Sequence, residues 1–416
     1  MHAPPPTDQE RRFAAMSERR LVFMMAALMS LQALGIDAML PALGLIANDL
    51  GATGNERQLV IGAYLLGSGL GALVPGVLAD RFGRRPVLLG GIVVYASLSL
   101  VCALVTVFEL LIALRMTQAF LAAGLGVLPA AIIRDRVGGD RMARMMSTIM
   151  VVFMVVPVLA PFLGQMVLLY AGWRWIFVMM AALAALVGLW TWRDLPESLH
   201  PENRQPIAFA PVLGNMREAF FRRSSVGYVI GSSLVFGALF GFLNSAQQLI
   251  TDTFGMGRYF PLIFGAAAAG MALANFFNSR IVERFGARRV SHTALIAFIA
   301  VSVVQVLAAS QDDEKLWQFL PLMMTNMALL GFVGANFGSI AMQPFQHIAG
   351  SASSAQSFVR MVTSALLGAA IGQAYDGTAR PLAWALLICG LASLALVLFS
   401  EKGKLFRRLN PPPARN

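Results

Sequence analysis

Charge is what this chain has least of. Of its 416 residues only 13% are Asp, Glu, Lys or Arg while 57% are hydrophobic, and a soluble globular chain, about a quarter of it charged, does not have that balance. Cysteine is almost absent: Cys102 and Cys389 both lie inside apolar runs, which leaves no disulfide framework and fits two small hydrophobes. The four histidines, His2, His200, His292 and His347, are far apart and form no metal-ligand spacing. No Gly-x-x-x-x-Gly-Lys-Ser/Thr phosphate loop occurs, so direct ATP coupling has no support and any energy must come from a gradient. The chain is therefore not read as an enzyme, and neither a metal nor a cofactor is expected. The segment before Leu21 is polar and lacks a small-residue cleavage signal, so the first apolar run is expected to stay as an anchor.

Long apolar runs fill the rest. With a mean hydropathy of +0.69, the chain shows runs of about 20 residues, the length that crosses a bilayer, near 21–47, 58–79, 87–107, 109–133, 145–170, 174–192, 226–250, 260–282, 290–309, 316–343, 353–374 and 381–400. The expected architecture is an all-α membrane protein of twelve transmembrane helices. Its parts are a cytoplasmic segment 1–20, a six-helix half 21–192, a cytoplasmic linker 193–225, a second six-helix half 226–400 and a cytoplasmic tail 401–416. Of the 32 Lys and Arg residues, 25 fall on the side shared with the N-terminus and five on the other, with Arg115 and Arg360 inside spans. By the positive-inside rule both termini are cytoplasmic, and a multi-pass protein of the cell's inner (cytoplasmic) membrane is expected. The net charge of +11 follows from this topology and from contact with anionic lipid, so no nucleic-acid partner is inferred.

The two halves repeat each other. Residues 78–87 read LADRFGRRPV and residues 281–290 read IVERFGARRV, five of ten identical, each after the second span of its half. A parallel repeat of this kind places a substrate site near the midplane between halves.

One carboxylate falls deep within a span. Asp37 lies about 24 Å past Leu21 in a layer about 30 Å thick, unless the first helix is shorter and Asp37 sits in a water-exposed loop. Pro41 has no N–H to give the carbonyl of residue 37, so a buried acid and a freed carbonyl coincide. The other carboxylates sit at span ends, in loops or in tails, which leaves Asp37 as the proton carrier. Arg115, about six residues into the fourth span, falls at a similar height; it must pair, reach water or snorkel to the headgroups. Arg360 lies one and a half to two turns into the eleventh span, within snorkelling reach. Pro157 and Pro161 free two further carbonyls and should kink the fifth span.

Walls for an amphipathic ligand are available on several spans. Phe236, Phe240, Asn244 and Gln247 share one face of the seventh, the tenth offers Asn326, Phe332 and Asn336, and the fifth offers Met150, Phe153 and the adaptable Met154. Each of these can equally be inter-helical packing or polar glue.

The segment Gly76 to Arg85, with Gly76, Asp80, Arg81, Gly83, Arg84 and Arg85, resembles the signature of the major facilitator superfamily. Asp80 stands at a helix C-terminus, where the macrodipole disfavours it, and needs compensation from Arg81, Arg84, Arg85 or another helix. The resemblance implies a cytoplasmic gate between the halves, the competing reading being arginines that only set topology. Asp37-x-x-x-Pro41 and Arg115-x-x-Gln118 are similar to motifs of the twelve-helix drug/proton antiporters, and Ala341-Met342-x-Pro344 with residues 349–354 to the Bcr/CflA subgroup. The fifth-span motif departs from that pattern, for only Pro161 and Gly164 remain where glycines cluster. The resemblance implies a major facilitator fold in two pseudo-symmetric halves, proton coupling through Asp37 and Arg115, and monomeric, proton-driven export of small amphipathic compounds by alternating access. A nutrient facilitator or symporter on the same scaffold, and a non-transporting sensor or scaffold, are the alternatives.

Overall fold

The computed structural model describes residues 16–137, 139–200, 202, 204, 223–311 and 313–406. Most of the expected N-terminal segment, most of the linker and the end of the tail lie outside these. Every regular element among the described residues is helical. Ten helices are long and apolar enough to cross a membrane: α1 Glu18–Leu50, α3 Arg84–Ala103, α4 Phe108–Arg136, α5 Arg144–Tyr170, α6 Arg174–Asp194, α7 Arg223–Thr253, α8 Gly257–Phe285, α9 Ala287–Ala309, α10 Leu316–Phe345 and α12 Arg380–Ser400. The pair Glu56–Gly71 and Val74–Phe82, bent by 45°, makes an eleventh, α2. Ala349–Gln373 adds a helix of 25 residues, α11, which is long enough but less apolar.

Proline chemistry sets the breaks. In α1 the regular helix stops at Asp37 and a 3-10 turn takes over at Leu40–Ala42, because Pro41 cannot supply the next rungs. In α5 the helix stops at Phe153 and restarts at Val156, since Pro157 has no N–H for the Phe153 carbonyl. Pro161 stays inside the restarted helix. Residues 349–354, small and polar enough to read as loop, open α11 four residues before its expected start at 353.

The described residues fall into two units, one within 16–42 and 67–204, the other within 43–66 and 223–406. In the first, α3 packs on α6 and α4, and α1 on α4, α5 and α6. In the second, α7 packs on α10, α11 and α12, while α9 packs on α10 and α12. The far ends of α1 and α2, residues 43–66, belong to the second unit.

The repeated segments adopt the same turn. Gly83 (φ 103°, ψ 155°) and Gly286 (φ 85°, ψ 147°) each stop one helix and start the next. Positive φ of this size requires glycine.

Candidate functional site

Asp37 is the last residue of the regular part of α1, and it is 6% exposed. Among the described residues no hydrogen bond or ion pair reaches its carboxylate. The α-helical ladder ends with the Ala38 N–H on the Leu34 carbonyl, and Arg115 of α4 donates to the following carbonyl, that of Gly35. Gly164 of α5 completes the enclosure: a Cβ there would overlap the Ala38 carbonyl and come within 3.2 Å of Pro41 Cγ. Close approach of α5 to the broken backbone explains why glycine stands at 164.

Arg115 is fully buried. It does not snorkel, and it does not form an ion pair with Asp37. Its second hydrogen bond goes to Gln118 Oε1 at 2.8 Å, and its charge lies 5.7 Å from the Phe177 ring centroid on α6, within cation–π range. Gln118 in turn donates to Ser99 Oγ (2.7 Å) and to the Tyr95 carbonyl (3.1 Å), and the Tyr95 hydroxyl donates to the Leu31 carbonyl (2.7 Å). Thus α1, α3 and α4 are joined by one hydrogen-bonded network at the α1 break, with the Phe177 ring of α6 set against its arginine. Tyr95 and Ser99 were not singled out from the sequence. Their signal was there, a hydroxyl pair four residues apart on one face of an apolar run.

At the predicted cytoplasmic end of the first unit, Asp80 pairs with Arg84 (2.6 Å), which also reaches Asp135 (3.2 Å). Of the three compensating arginines, Arg84 therefore serves Asp80, while Arg85 donates to the Trp192 carbonyl at 2.6 Å. Glu197, after α6, accepts the Arg84 N–H at 2.8 Å and the Arg85 N–H at 3.2 Å. It caps the start of α3, where a negative charge suits the helix dipole. A side chain at Gly83 would collide with Glu197, whereas a Cβ at Gly76 would meet nothing within 4 Å. In the second unit Glu401, after α12, pairs with Arg288 (2.6 Å) and accepts the Tyr228 hydroxyl (2.7 Å), which also meets His292 at 2.9 Å. Burial pushes the Glu401 carboxyl up, and the two hydrogen bonds together with the Arg288 charge outweigh it, holding the group below the usual carboxylate range.

Within the second unit the cavity candidates take separate partners. Asn326 donates to Gln305 on α9 (2.9 Å), Asn336 to Asn278 on α8 (2.7 Å) and Asn244 to the Phe240 carbonyl (2.8 Å). The first two are glue between helices. Phe236 and Phe332 line different cavities, the first of about 60 Å³ and the second of about 470 Å³. Phe240 is buried against Gly368 and Gln247 reaches Thr251 at 3.4 Å. Met150 is 37% exposed, and Phe153 and Met154 sit at the α5 break.

At the predicted outer end the second unit is tied by residues that were not predicted as a site. Arg57 pairs with Asp252, and Gln58 with Gln248. The Asn55 amide donates to the carbonyls of Gln373 (2.9 Å) and Tyr375 (2.7 Å). Sequence spacing gave no signal for these contacts, because they join positions about 190 to 320 apart.

Such a bundle of apolar helices, broken beside a buried carboxylate and repeated through the Gly83 and Gly286 turns, defines a multi-pass membrane transporter. The sequence pattern of the Major Facilitator Superfamily matches residues 25–372, and the chain belongs to that superfamily, a family of transporters and not of enzymes. It is 28% identical over 369 residues to a bicyclomycin resistance protein homolog of Haemophilus influenzae, covering 88% of this chain and 92% of that one. It is 29% identical over 382 residues to the multidrug resistance protein MdtL of Klebsiella pneumoniae, covering 89% and 93%. In fold it is similar to the peptide transporter POT, with a TM-score of 0.73 at 13% identity over 95% of this chain and 98% of that one.

Proposed function

We propose that the protein is a proton-coupled exporter of small amphipathic compounds, including drugs, across the cytoplasmic membrane. The observation that carries this is Asp37, a buried carboxyl at a helix break, with Arg115 held nearby on the backbone instead of neutralising it. An unpaired carboxylate in hydrocarbon is costly and its protonated form much less so. Such a group takes a proton when closed off and gives it up when water reaches it. Resemblance to relatives named for resistance to bicyclomycin and to multiple drugs supports export and a drug-like substrate.

In this reading both termini are cytoplasmic, the six-helix halves 21–192 and 226–400 rock about the site as a monomer, and the Asp80 and Arg84 cluster belongs to the cytoplasmic gate. Asp37→Asn keeps size and hydrogen-bonding capacity and removes the ionisable group. Reconstituted in proteoliposomes with an imposed pH gradient, Asp37→Asn is expected to fall to the leak of protein-free vesicles while still folding. Uphill export by Asp37→Asn at the parent rate and proton stoichiometry would put the carrier elsewhere. Flux of the parent protein that ignores the pH gradient is the signature of a facilitator, and no flux at all is that of a sensor or scaffold.

A further inference from the structure

Arg360 is the one charged residue of α11, eleven positions past its start at Ala349. A rise of about 1.5 Å per residue puts it about 16 Å along this 25-residue helix, near its middle. It lines a cavity of about 350 Å³ walled by α7, α10 and α11, a size within the roughly 300–1,000 Å³ of small-molecule sites. The guanidinium lies 5.2 Å from the Phe236 ring centroid. Among the described residues no hydrogen bond or ion pair engages it.

No acid of the walls can neutralise this charge. Neither α10 nor α11 contains Asp or Glu, and the single acid of α7, Asp252, stands at the far end of that helix paired with Arg57. A cation midway along a helix of a membrane bundle calls for a counter-charge or water. Around it the cavity presents Ser232, Ser339, Ser353, Gln356 and Ser357. Ser232 donates to the Val229 carbonyl (2.8 Å), and Gln356 is held by the Ala341 carbonyl (3.2 Å). The hydroxyls of Ser339, Ser353 and Ser357 make no hydrogen bond among the described residues. One fixed positive charge, three hydroxyl donors and no acid form a receptor for a single negative charge.

We propose that this cavity is an anion subsite that takes the carboxylate end of a small amphipathic substrate. A planar guanidinium matches a carboxylate through two parallel hydrogen bonds, a fit that a spherical halide lacks. A dianion would leave one charge uncompensated in the membrane, which selects against sulfate and phosphate. Val229 and Met342 on the wall meet the apolar remainder of the ligand. The proposal deepens the export reading and rests on it for the ligand being transported, yet binding at this cavity needs no proton gradient.

The test is equilibrium binding of 2-naphthoate and its uncharged amide to the purified full-length protein, followed as thermal stabilisation. The carboxylate is expected to stabilise the parent saturably and the amide far less. Arg360→Gln should weaken naphthoate binding roughly ten- to hundredfold, the range expected for hydrogen bonds to a charged group. Arg360→Lys should restore part of it, and Ser357→Ala should weaken it a few-fold. Should Arg360→Gln fail to fold, Arg360→Lys and Ser357→Ala carry the comparison. Binding is read with no pH gradient, so retained naphthoate binding by a parent protein that fails gradient-driven export counts against proton coupling and leaves this site standing. Equal stabilisation by the amide, parent-like binding by all three cavity variants, or displacement by chloride at the same concentration as naphthoate would overturn the proposal.

Discussion

Single side chains in this protein are decided by what else is within reach. Asp37 and Arg115 both belong to the α1 break and yet the arginine takes the Gly35 carbonyl and Gln118, because the break leaves a backbone acceptor open that an internal helix would have satisfied. Glu401 shows the opposite outcome, a carboxylate surrounded by donors from Arg288 and Tyr228 with His292 beside the tyrosine. Its folded value lies below the ordinary glutamate value of about 4.3, so its contribution to stability is fully present above that value and is lost as pH falls through the folded one. Glu401→Gln is expected to cost roughly 1.5–3 kcal/mol at neutral pH, the range of a hydrogen bond to a charged group. It should also flatten the fall of melting temperature below about pH 4. A variant with the parent's full acid dependence would show that Glu401 is not the group responsible.

At the scale of helices, close packing rests on glycines that face backbone. A Cβ at Gly67 would overlap the Met116 carbonyl, and one at Gly71 the Phe120 carbonyl, four residues on along both α2 and α4. Small residues at this spacing let two membrane helices approach where larger ones hold them apart. Gly67→Ala should therefore destabilise by about 1–3 kcal/mol, as overpacking does. By contrast Gly76→Ala, with open space around it, should be neutral or raise stability by up to about 1 kcal/mol through the helix propensity of alanine. Equal melting temperatures for the two variants would refute this account of α2 against α4.

For the molecule as a whole, residues 43–66 of α1 and α2, at the end predicted to face outward, join the second unit through Arg57 with Asp252 and Asn55 with Gln373 and Tyr375. In the export cycle proposed above, opening of this end breaks these ties. In a background lacking Cys102 and Cys389, a cysteine at Ser245, a position 2% exposed on α7, serves as reporter. Arg57→Ala is expected to raise its labelling rate by a membrane-impermeant thiol reagent several-fold, roughly the factor that about 1 kcal/mol of lost pairing gives. An unchanged rate would mean that the Arg57 to Asp252 pair does not hold this end shut.

Twelve apolar runs, a charge asymmetry and a ten-residue repeat were enough to set the helical membrane fold, because length and hydropathy are local properties that the bilayer reads directly. Local chemistry likewise marked the breaks at Asp37 and Phe153, since a proline removes a donor whatever surrounds it. Partnership was not legible in this way. That Glu197 caps α3 and that Asn55 meets Gln373 depend on segments far apart in sequence coming side by side, and that Gln118 binds Ser99 depends on which faces of α3 and α4 meet. The isolation of Arg360 likewise depends on which helices wall its cavity, and tertiary packing alone decides that.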